Sequence, residues 1–173
     1  MAAPDAATLD RIAARVLALP PAPLRLRIAI AGPPGAGKST FAAALVDRLG
    51  PEAALVPMDG FHLDNAILSA RGLLPRKGAP ETFDALGFVR MVERLSTDSE
   101  VVIPGFDRAR DIAIAGAAVV APSCRIAVVE GNYLLLRTDP WRQLAPLWDL
   151  RVLIAPPADI LESRLIRRWL DHG

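Results

Sequence analysis

The sequence predicts an α/β domain built as a three-layer sandwich, with a five-stranded parallel sheet between layers of helices and a small β-ribbon. Short apolar runs alternate with helical patterns along the chain, which is typical of parallel strands buried on both faces. A length of 173 residues, 52% of them hydrophobic, suits a single domain over residues 1–173. The expected strands are 26–30, 53–58, 101–104, 125–130 and 151–155, and the ribbon strands are 111–115 and 117–121, hinged at Gly116.

Apolar periodicity and turn signals place helices between these strands. Gly50-Pro51 closes the helix after the first strand, and Asp64 and Asp84 are suited to cap two later ones. The predicted helices are 9–17, 41–49, 64–72, 84–95, a segment around Trp141 and Leu144, and 159–170.

The strongest functional signal lies between the first strand and the helix that follows it. Its sequence, Gly32-Pro33-Pro34-Gly35-Ala36-Gly37-Lys38-Ser39, fits the pattern G-x-x-x-x-G-K-[ST]. Glycines let backbone N–H groups surround phosphate oxygens, Lys38 reaches the outer phosphates, and the Ser39 hydroxyl binds Mg²⁺. The sequence therefore predicts a P-loop NTPase-type fold that binds a nucleoside triphosphate through Gly32, Pro33, Pro34, Gly35, Ala36, Gly37, Lys38, Ser39 and Thr40.

Composition and charge exclude several classes of protein. The net charge of +1 gives no broad electrostatic footprint for nucleic acid. No apolar stretch is long enough to span a bilayer, and the N-terminus lacks the basic start and apolar run of a secretion signal. The single cysteine, Cys124, is expected to fill the core. These features predict a cytoplasmic protein that binds neither nucleic acid nor membrane.

Charged side chains follow the strands at the carboxyl edge of the predicted sheet, where such sheets bind ligands. Asp59 ends the second strand, Glu130 ends the fourth, and Arg108 and Arg110 follow the third. Phosphoryl transfer needs a phosphate cradle, Mg²⁺ ligands, a group that orients the nucleophile, and cations for the developing charge. Every part has a candidate here, so the pattern favours an enzyme of phosphoryl transfer.

Four further motifs follow the phosphate loop and together carry a resemblance. They are Asp59-Gly-Phe-His62, Arg76-Lys77-Gly78-Ala79-Pro80-Glu81-Thr-Phe-Asp84, Pro104-Gly-Phe-Asp107 and Val129-Glu130-Gly131-Asn132. From residue 28 onward the chain resembles the phosphoribulokinase/uridine kinase superfamily. It is closer to bacterial pantothenate kinase and to nucleoside kinase-like proteins, some called fructokinases, than to uridine kinase proper. The resemblance implies a kinase that moves the γ-phosphoryl group of ATP to a hydroxyl of a small molecule.

The resemblance also implies roles for individual residues. Asp59 resembles the catalytic base, Glu130 resembles the strand-end carboxylate near Mg²⁺, and Ser39 is the other metal ligand. Arg164, Arg167 and Arg168 resemble the start of a mobile lid over the phosphates. The catalytic set is thus Lys38, Asp59, Arg164 and Arg168. The expected substrate contacts are Asp59, His62, Arg76, Lys77, Arg108 and Arg110.

Several of these residues have a structural interpretation as well. Asp59 suits a turn, and His62 is about equally suited to a partly buried, hydrogen-bonded position. Arg76 and Lys77 suit a solvated loop, Arg108 and Arg110 a surface ion cluster, and the lid arginines the polar face of an amphipathic helix.

Two departures limit the resemblance. Uridine kinases carry a tyrosine and a histidine in the segment that matches 106–111, so a standard uridine pocket is not expected here. The lid arginines are soon followed by Gly173, so the C-terminal lid and last strand are expected to be missing. The acceptor stays open among a nucleoside, a pantothenate-like alcohol and a sugar such as fructose. A regulatory P-loop NTPase acting through a protein partner is the alternative, and a homodimer is left open.

Overall fold

The computed structural model describes residues 5–172, apart from the side chains at 164, 167–169, 171 and 172. Within those residues the chain forms the strands β1 Leu26–Ala31, β2 Ala53–Pro57, β3 Val101–Asp107, β4 Ile112–Val120, β5 Ile126–Gly131 and β6 Leu150–Leu153. Four of them form a parallel sheet in the order β2-β5-β1-β6. This order places β5 between the strand that leads into the phosphate loop and the strand that leads to Asp59.

The prediction of a five-stranded parallel sheet is wrong, because the third predicted strand does not belong to that sheet. In the described part of the chain the parallel sheet has four strands, and residues 101–104 belong to β3, which pairs antiparallel with β4 in a separate sheet. Val101 and Ile103 are buried, but Val102 between them is 48% exposed. Such alternation is typical of a strand with one face in the core and one in solvent, not of a parallel strand covered on both faces.

The predicted β-ribbon is present with different partners. The segment expected to fold back on itself at Gly116 forms the single strand β4, and its partner is β3. The pairing shifts register between Ile103 and Gly105, where Pro104 has no N–H to donate. The extra residues of β4 at this shift include Gly116, whose φ of 64° lies in the left-handed region.

The α-helices begin and end close to their predicted positions. They are α1 Ala6–Leu17, α2 Lys38–Leu49, α3 Asn65–Ala70, α4 Ala85–Arg94 and α5 Ala158–His172. The Asp64 and Asp84 carboxylates accept backbone N–H groups in the first turns of α3 and α4, at 2.8 and 2.9 Å. The helix predicted around Trp141 is instead a 3₁₀ helix, Trp141–Leu147, because in an α-helix the ring of Pro146 would clash with the carbonyl four residues earlier.

Helices cover both faces of the parallel sheet. Ile28 and Ile30 pack with α1 and α2, whereas Ala29 and Ala31 pack in the core that contains α4 and Trp141, as the two-residue period of a strand requires. The carboxyl ends of the four parallel strands therefore meet at one edge of a three-layer structure. None of the helices in the described residues is long and apolar enough to cross a lipid bilayer.

Candidate active site

The phosphate loop lies at the carboxyl edge of the sheet, between β1 and the first turn of α2. A Cβ atom at Gly32 would lie 2.3 Å from the carbonyl oxygen of Ile154, just after β6, so only glycine fits this approach. α2 begins at Lys38, so its positive dipole end faces the loop. The Lys38 side chain is buried, and its ammonium donates to the Pro33 carbonyl at 3.1 Å. The loop thus combines the backbone donors and the cation that bind phosphate.

Glu130 lies at the end of β5, directly beside this loop. The Ser39 hydroxyl donates to Glu130 Oε1 at 3.2 Å, and Glu130 is only 5% exposed. Burial raises the pKa of Glu130 above its ordinary value, and the nearby Asp59 charge raises it further, against the opposing effects of Lys38 and Ser39. The surroundings of Glu130 therefore disfavour its ionised form on balance.

The oxygen donors of Ser39 and Glu130 suit Mg²⁺, which prefers hard oxygen ligands and keeps several waters. Among residues 5–172, apart from the side chains left undescribed, no three His, Cys, Asp or Glu side chains cluster as an all-protein metal site. Mg²⁺ held by these two residues would take its other ligands from phosphate oxygens and water. That is the usual way in which Mg²⁺ binds beside a nucleotide.

Asp59 lies in the 3₁₀ turn Met58–Phe61, which follows β2. Pro57 pairs with Glu130 in the parallel register, so this turn begins next to the carboxylate at the end of β5. Asp59 Oδ2 accepts a hydrogen bond from Arg108 Nη2 at 2.6 Å. The structure therefore brings Asp59, Glu130 and the phosphate loop together at neighbouring strand ends, with Arg108 reaching the group from the β3–β4 ribbon.

His62 links this turn to two aromatic side chains. Its Nδ1 lies 2.8 Å from the Asp59 carbonyl oxygen, and its ring packs at a tilt between Phe83 and Phe106, with centroid separations of 4.0 and 4.6 Å. Burial lowers the pKa of His62 below its ordinary value, which favours the neutral imidazole. Its contacts give it the partly buried, hydrogen-bonded position that was one of its two interpretations.

The other predicted substrate contacts differ in where they point. Arg76 pairs with Glu81 at 2.9 Å, and Arg110 pairs with Asp107 at 2.7 Å, both as solvent-exposed ion pairs. Lys77 instead turns toward the tip of the ribbon, where it hydrogen-bonds Asn65 and Asp111. Hydrogen bonds from Lys77 and then Asn65 lower the pKa of Asp111.

Sequence reasoning missed the residues that hold the site in place. Phe106 lay inside a motif without a role of its own, although its aromatic type was a usable signal. Asn65 carried no signal, because an asparagine after a helix cap is unremarkable in sequence. The Tyr133 hydroxyl, which donates to the Gly78 carbonyl, was also missed. These contacts join segments far apart in the chain, which periodicity does not detect.

Arg164, Arg167 and Arg168 belong to α5, but their side chains lie outside the described residues. The expectation that they contact phosphates stays a prediction.

Several known proteins resemble this chain over most of its length. A candidate uridine kinase of Schizosaccharomyces pombe is 35% identical over 99% of the chain and 77% of that protein. A pantothenate kinase of Mycolicibacterium vanbaalenii is 31% identical over 88% of the chain, which spans 50% of its length. The crystal structure of a candidate fructose transport system kinase from a Silicibacter species is 52% identical, with a TM-score of 0.91 over 95% of this chain and 82% of that one. No family profile matches the chain.

The fold and these relatives define a P-loop kinase. The chain belongs to the phosphoribulokinase/uridine kinase superfamily, as the motifs predicted. It is a transferase that binds ATP and phosphorylates a small molecule.

Proposed function

We propose that this kinase transfers the γ-phosphoryl group of ATP to a hydroxyl of a small metabolite, with Asp59 as the base and Mg²⁺ held by Ser39 and Glu130. The observation that carries the proposal is the convergence of Asp59 and Glu130 on neighbouring strand ends beside the phosphate loop. Glu130 is hydrogen-bonded to the Ser39 hydroxyl, which suits it to the metal site, and Asp59 is then left to act as the base.

Each residue has a distinct part in the proposed reaction. The acceptor oxygen attacks the γ-phosphorus, the bond from that phosphorus to the β–γ bridging oxygen breaks, and ADP leaves. Asp59 orients the acceptor hydroxyl and takes its proton. Lys38 and the N-terminal amides of α2 stabilise charge on the phosphates. Mg²⁺, when bound, neutralises phosphate charge.

Arg108 has a position that couples acceptor binding to the base. In the described structure its guanidinium holds the Asp59 carboxylate at 2.6 Å, and both side chains are reachable from solvent. An acceptor hydroxyl that binds Asp59 competes with Arg108 for the same oxygen. Arg108 then becomes available to the acceptor or to the transferring phosphoryl group, which suits a planar, permanently charged guanidinium.

The acceptor is proposed from three classes: a sugar, a nucleoside and a pantothenate-like alcohol. Fructose and uridine are the first compounds to test, since the Silicibacter and Schizosaccharomyces relatives carry those names. Pantothenate follows from the Mycolicibacterium relative. His62 contacts the Asp59 carbonyl and packs against Phe106, so aromatic rings lie near the carboxylate, and sugars and nucleosides both use such groups.

A screen of purified protein with ATP and Mg²⁺ against these acceptors tests the proposal. We expect one class to give ADP and a phosphorylated acceptor in equal amounts, and Lys38→Ala to lower the rate by about 10²–10³-fold. ATP hydrolysis that no acceptor stimulates, but that a protein partner does, would contradict the proposal and favour a regulatory NTPase.

A further inference from the structure

We propose that Lys77 is a positioning residue for the phosphoryl-transfer site. It fastens the turn between β3 and β4 to the start of α3, and so holds Arg108 against Asp59. This inference rests on the proposed role of Asp59, and it assigns Lys77 to a place beside the acceptor rather than in contact with it.

The contacts of Lys77 use its full hydrogen-bonding capacity. Its ammonium donates to Asn65 Oδ1 at 2.6 Å, to Asp111 Oδ2 at 2.7 Å and to the Asp111 carbonyl oxygen at 2.8 Å. A lysine ammonium has three N–H groups, so these bonds satisfy all of them. The Lys77 side chain is 14% exposed, whereas that of Arg108 is 59% exposed. An acceptor would have to displace an existing partner to bind Lys77.

Asp111 completes a closed ring of side chains with Lys77 and Asn65. Asn65 Nδ2 donates to the same Asp111 Oδ2 at 3.0 Å, so the carboxylate is shared by both partners. Asp111 has a φ of 56°, in the left-handed region that residues other than glycine seldom adopt. This conformation turns both its carbonyl and its carboxylate toward Lys77. The ring therefore fixes the end of the turn at a point where the backbone is held out of its preferred conformation.

The fixed end of the turn controls where Arg108 lies. At the other end, Asp107 Oδ1 accepts the backbone N–H groups of Ala109 and Arg110 at 3.0 and 3.1 Å. Arg108 is thus held between a hydrogen-bonded turn and the ring of Lys77, Asn65 and Asp111, which we call the clamp. Its side chain extends from there to Asp59. Loosening either end would move the guanidinium relative to the Asp59 carboxylate.

A second route joins the clamp to the base through aromatic rings. The Lys77 ammonium lies 5.4 Å from the Phe106 ring centroid, within the range of a cation–π contact. Phe106 packs at a tilt against His62, and His62 Nδ1 contacts the Asp59 carbonyl. Lys77 is therefore connected both to Arg108 and to the backbone of the turn that carries Asp59.

Three variants separate positioning from direct contact with the acceptor. Lys77→Met removes the donors while keeping an apolar stem of similar length, and Asn65→Ala removes a partner of Lys77. Arg48→Met is the control, because it breaks an exposed ion pair with Asp10 at the end of α2 remote from the phosphate loop. We expect Lys77→Met to lower kcat/KM for the acceptor about 10–100-fold, the scale for a catalytic group displaced by a fraction of an ångström to one ångström. The affinity for ATP should stay within about twofold.

Asn65→Ala should reproduce part of this loss, and the double variant should lose less than the product of the two single effects. Direct acceptor binding by Lys77 predicts the opposite: Asn65→Ala without effect, and a Lys77→Met loss confined to acceptors that carry a negative charge.

Hydrogen exchange without any acceptor tests the clamp independently of the reaction. The amides of residues 108–111 should exchange faster in both Lys77→Met and Asn65→Ala than in the wild type and Arg48→Met. Should the wild type phosphorylate no acceptor, the proposed function fails while this measurement still decides the clamp. Unchanged exchange at 108–111 in the Lys77 and Asn65 variants would overturn the clamp, even in an active kinase.

Discussion

Glu130 is a buried carboxylate whose surroundings disfavour its charge. Every residue of β5 is buried, and burial with the nearby Asp59 charge raises the pKa of Glu130. Because the folded-state pKa exceeds the unfolded one, Glu130 contributes stability below its ordinary pKa, and that contribution is lost as pH rises through the raised value. The ionised form of Glu130 is thus disfavoured in the apoprotein, a cost that bound Mg²⁺ would offset.

Glu130→Gln should therefore change how stability depends on pH. The difference in unfolding free energy between variant and wild type should shift in favour of the variant as pH rises from about 4 to 7, because only the wild type gains a buried charge. Chemical denaturation of the apoprotein at several pH values measures this. The same variant should bind ATP more weakly in the presence of Mg²⁺ and no more weakly without it. A difference that does not vary with pH would contradict the raised pKa.

Asp59→Asn separates the base from the metal site. The amide keeps the shape of the side chain and can still meet Arg108, but it takes no proton. We expect acceptor phosphorylation to fall by about 10²–10⁴-fold while ATP binding persists. Single-turnover kinetics and an ATP titration measure the two quantities. Retained transfer with a collapse in Mg²⁺-dependent ATP affinity would instead move Asp59 into the metal site.

At the scale of residues, sequence could predict the groups that a motif defines and not the groups that hold them. The phosphate loop, Asp59 and Glu130 follow strand ends, and strand ends of a parallel sheet share an edge. Lys77 was recognised as a candidate from its motif, but the two residues that accept its three hydrogen bonds come from α3 and the ribbon turn. Those contacts depend on a left-handed Asp111, which no periodic pattern encodes.

At the scale of elements, the main error came from treating every apolar run as a buried parallel strand. Residues 101–104 include three apolar positions, but Val102 faces solvent and Pro104 interrupts the hydrogen bonding. A one-sided strand and a two-sided strand look alike over four residues, because the run is too short for alternation to show. The helices were predicted better, since Asp64 and Asp84 mark their starts by side-chain chemistry.

The contact between the Asp59 turn and the ribbon depends on Gly60. A Cβ at Gly60 would lie 2.5 Å from the Pro104 carbonyl oxygen and 2.7 Å from its carbon, both of them backbone atoms of β3. Gly60→Ala should force the turn and ribbon apart, lowering stability by about 1–3 kcal/mol and lowering kcat/KM for the acceptor more than it lowers ATP affinity.

A control for this variant is Leu144→Ala, which opens a cavity in the buried core at a cost of about 2–5 kcal/mol and lies in the 3₁₀ helix Trp141–Leu147 rather than in the turn or the ribbon. Denaturant melts and acceptor kinetics compare the two. If Gly60→Ala and Leu144→Ala lose acceptor kcat/KM to the same degree, general destabilisation rather than the turn–ribbon contact explains the loss.

At the scale of the whole molecule, the lid prediction concerns how a C-terminal helix meets the phosphates. We expect alanine at Arg164 or Arg168 to lower kcat more than it weakens ATP binding, because a guanidinium contact with the transferring group strengthens in the transition state. Steady-state kinetics with an ATP titration check this. Equal losses in kcat and ATP affinity, or none, would assign these arginines to a solvated helix face.

A buried arginine joins the two sheets of the molecule at the end remote from the site. Arg25 is 1% exposed and lies just before β1. Its guanidinium donates to the carbonyl oxygens of Leu95 and Asp98 at 3.0 and 2.8 Å, to that of Ser99, and to that of Ala121 at 3.2 Å. Arg25 thus ties the segment after α4, the start of β3 and the end of β4 to the parallel sheet.

Arg25→Met should cost about 1–3 kcal/mol in unfolding free energy, the range for a buried acceptor left unsatisfied, because the carbonyls of Leu95, Asp98 and Ser99 lose the guanidinium donor. The Ala121 carbonyl still accepts the Cys124 N–H. Arg125→Met is the matched control: Arg125 is also next to a strand of the parallel sheet but is exposed, so its loss should change stability by less than about 0.5 kcal/mol. Denaturant unfolding measures both.

Because Arg25 lies at the amino ends of the strands and the site lies at their carboxyl ends, folded Arg25→Met should keep its acceptor KM. A stable Arg25→Met with an altered KM would mean that the link between the sheets positions the ribbon at the site more than it stabilises the fold.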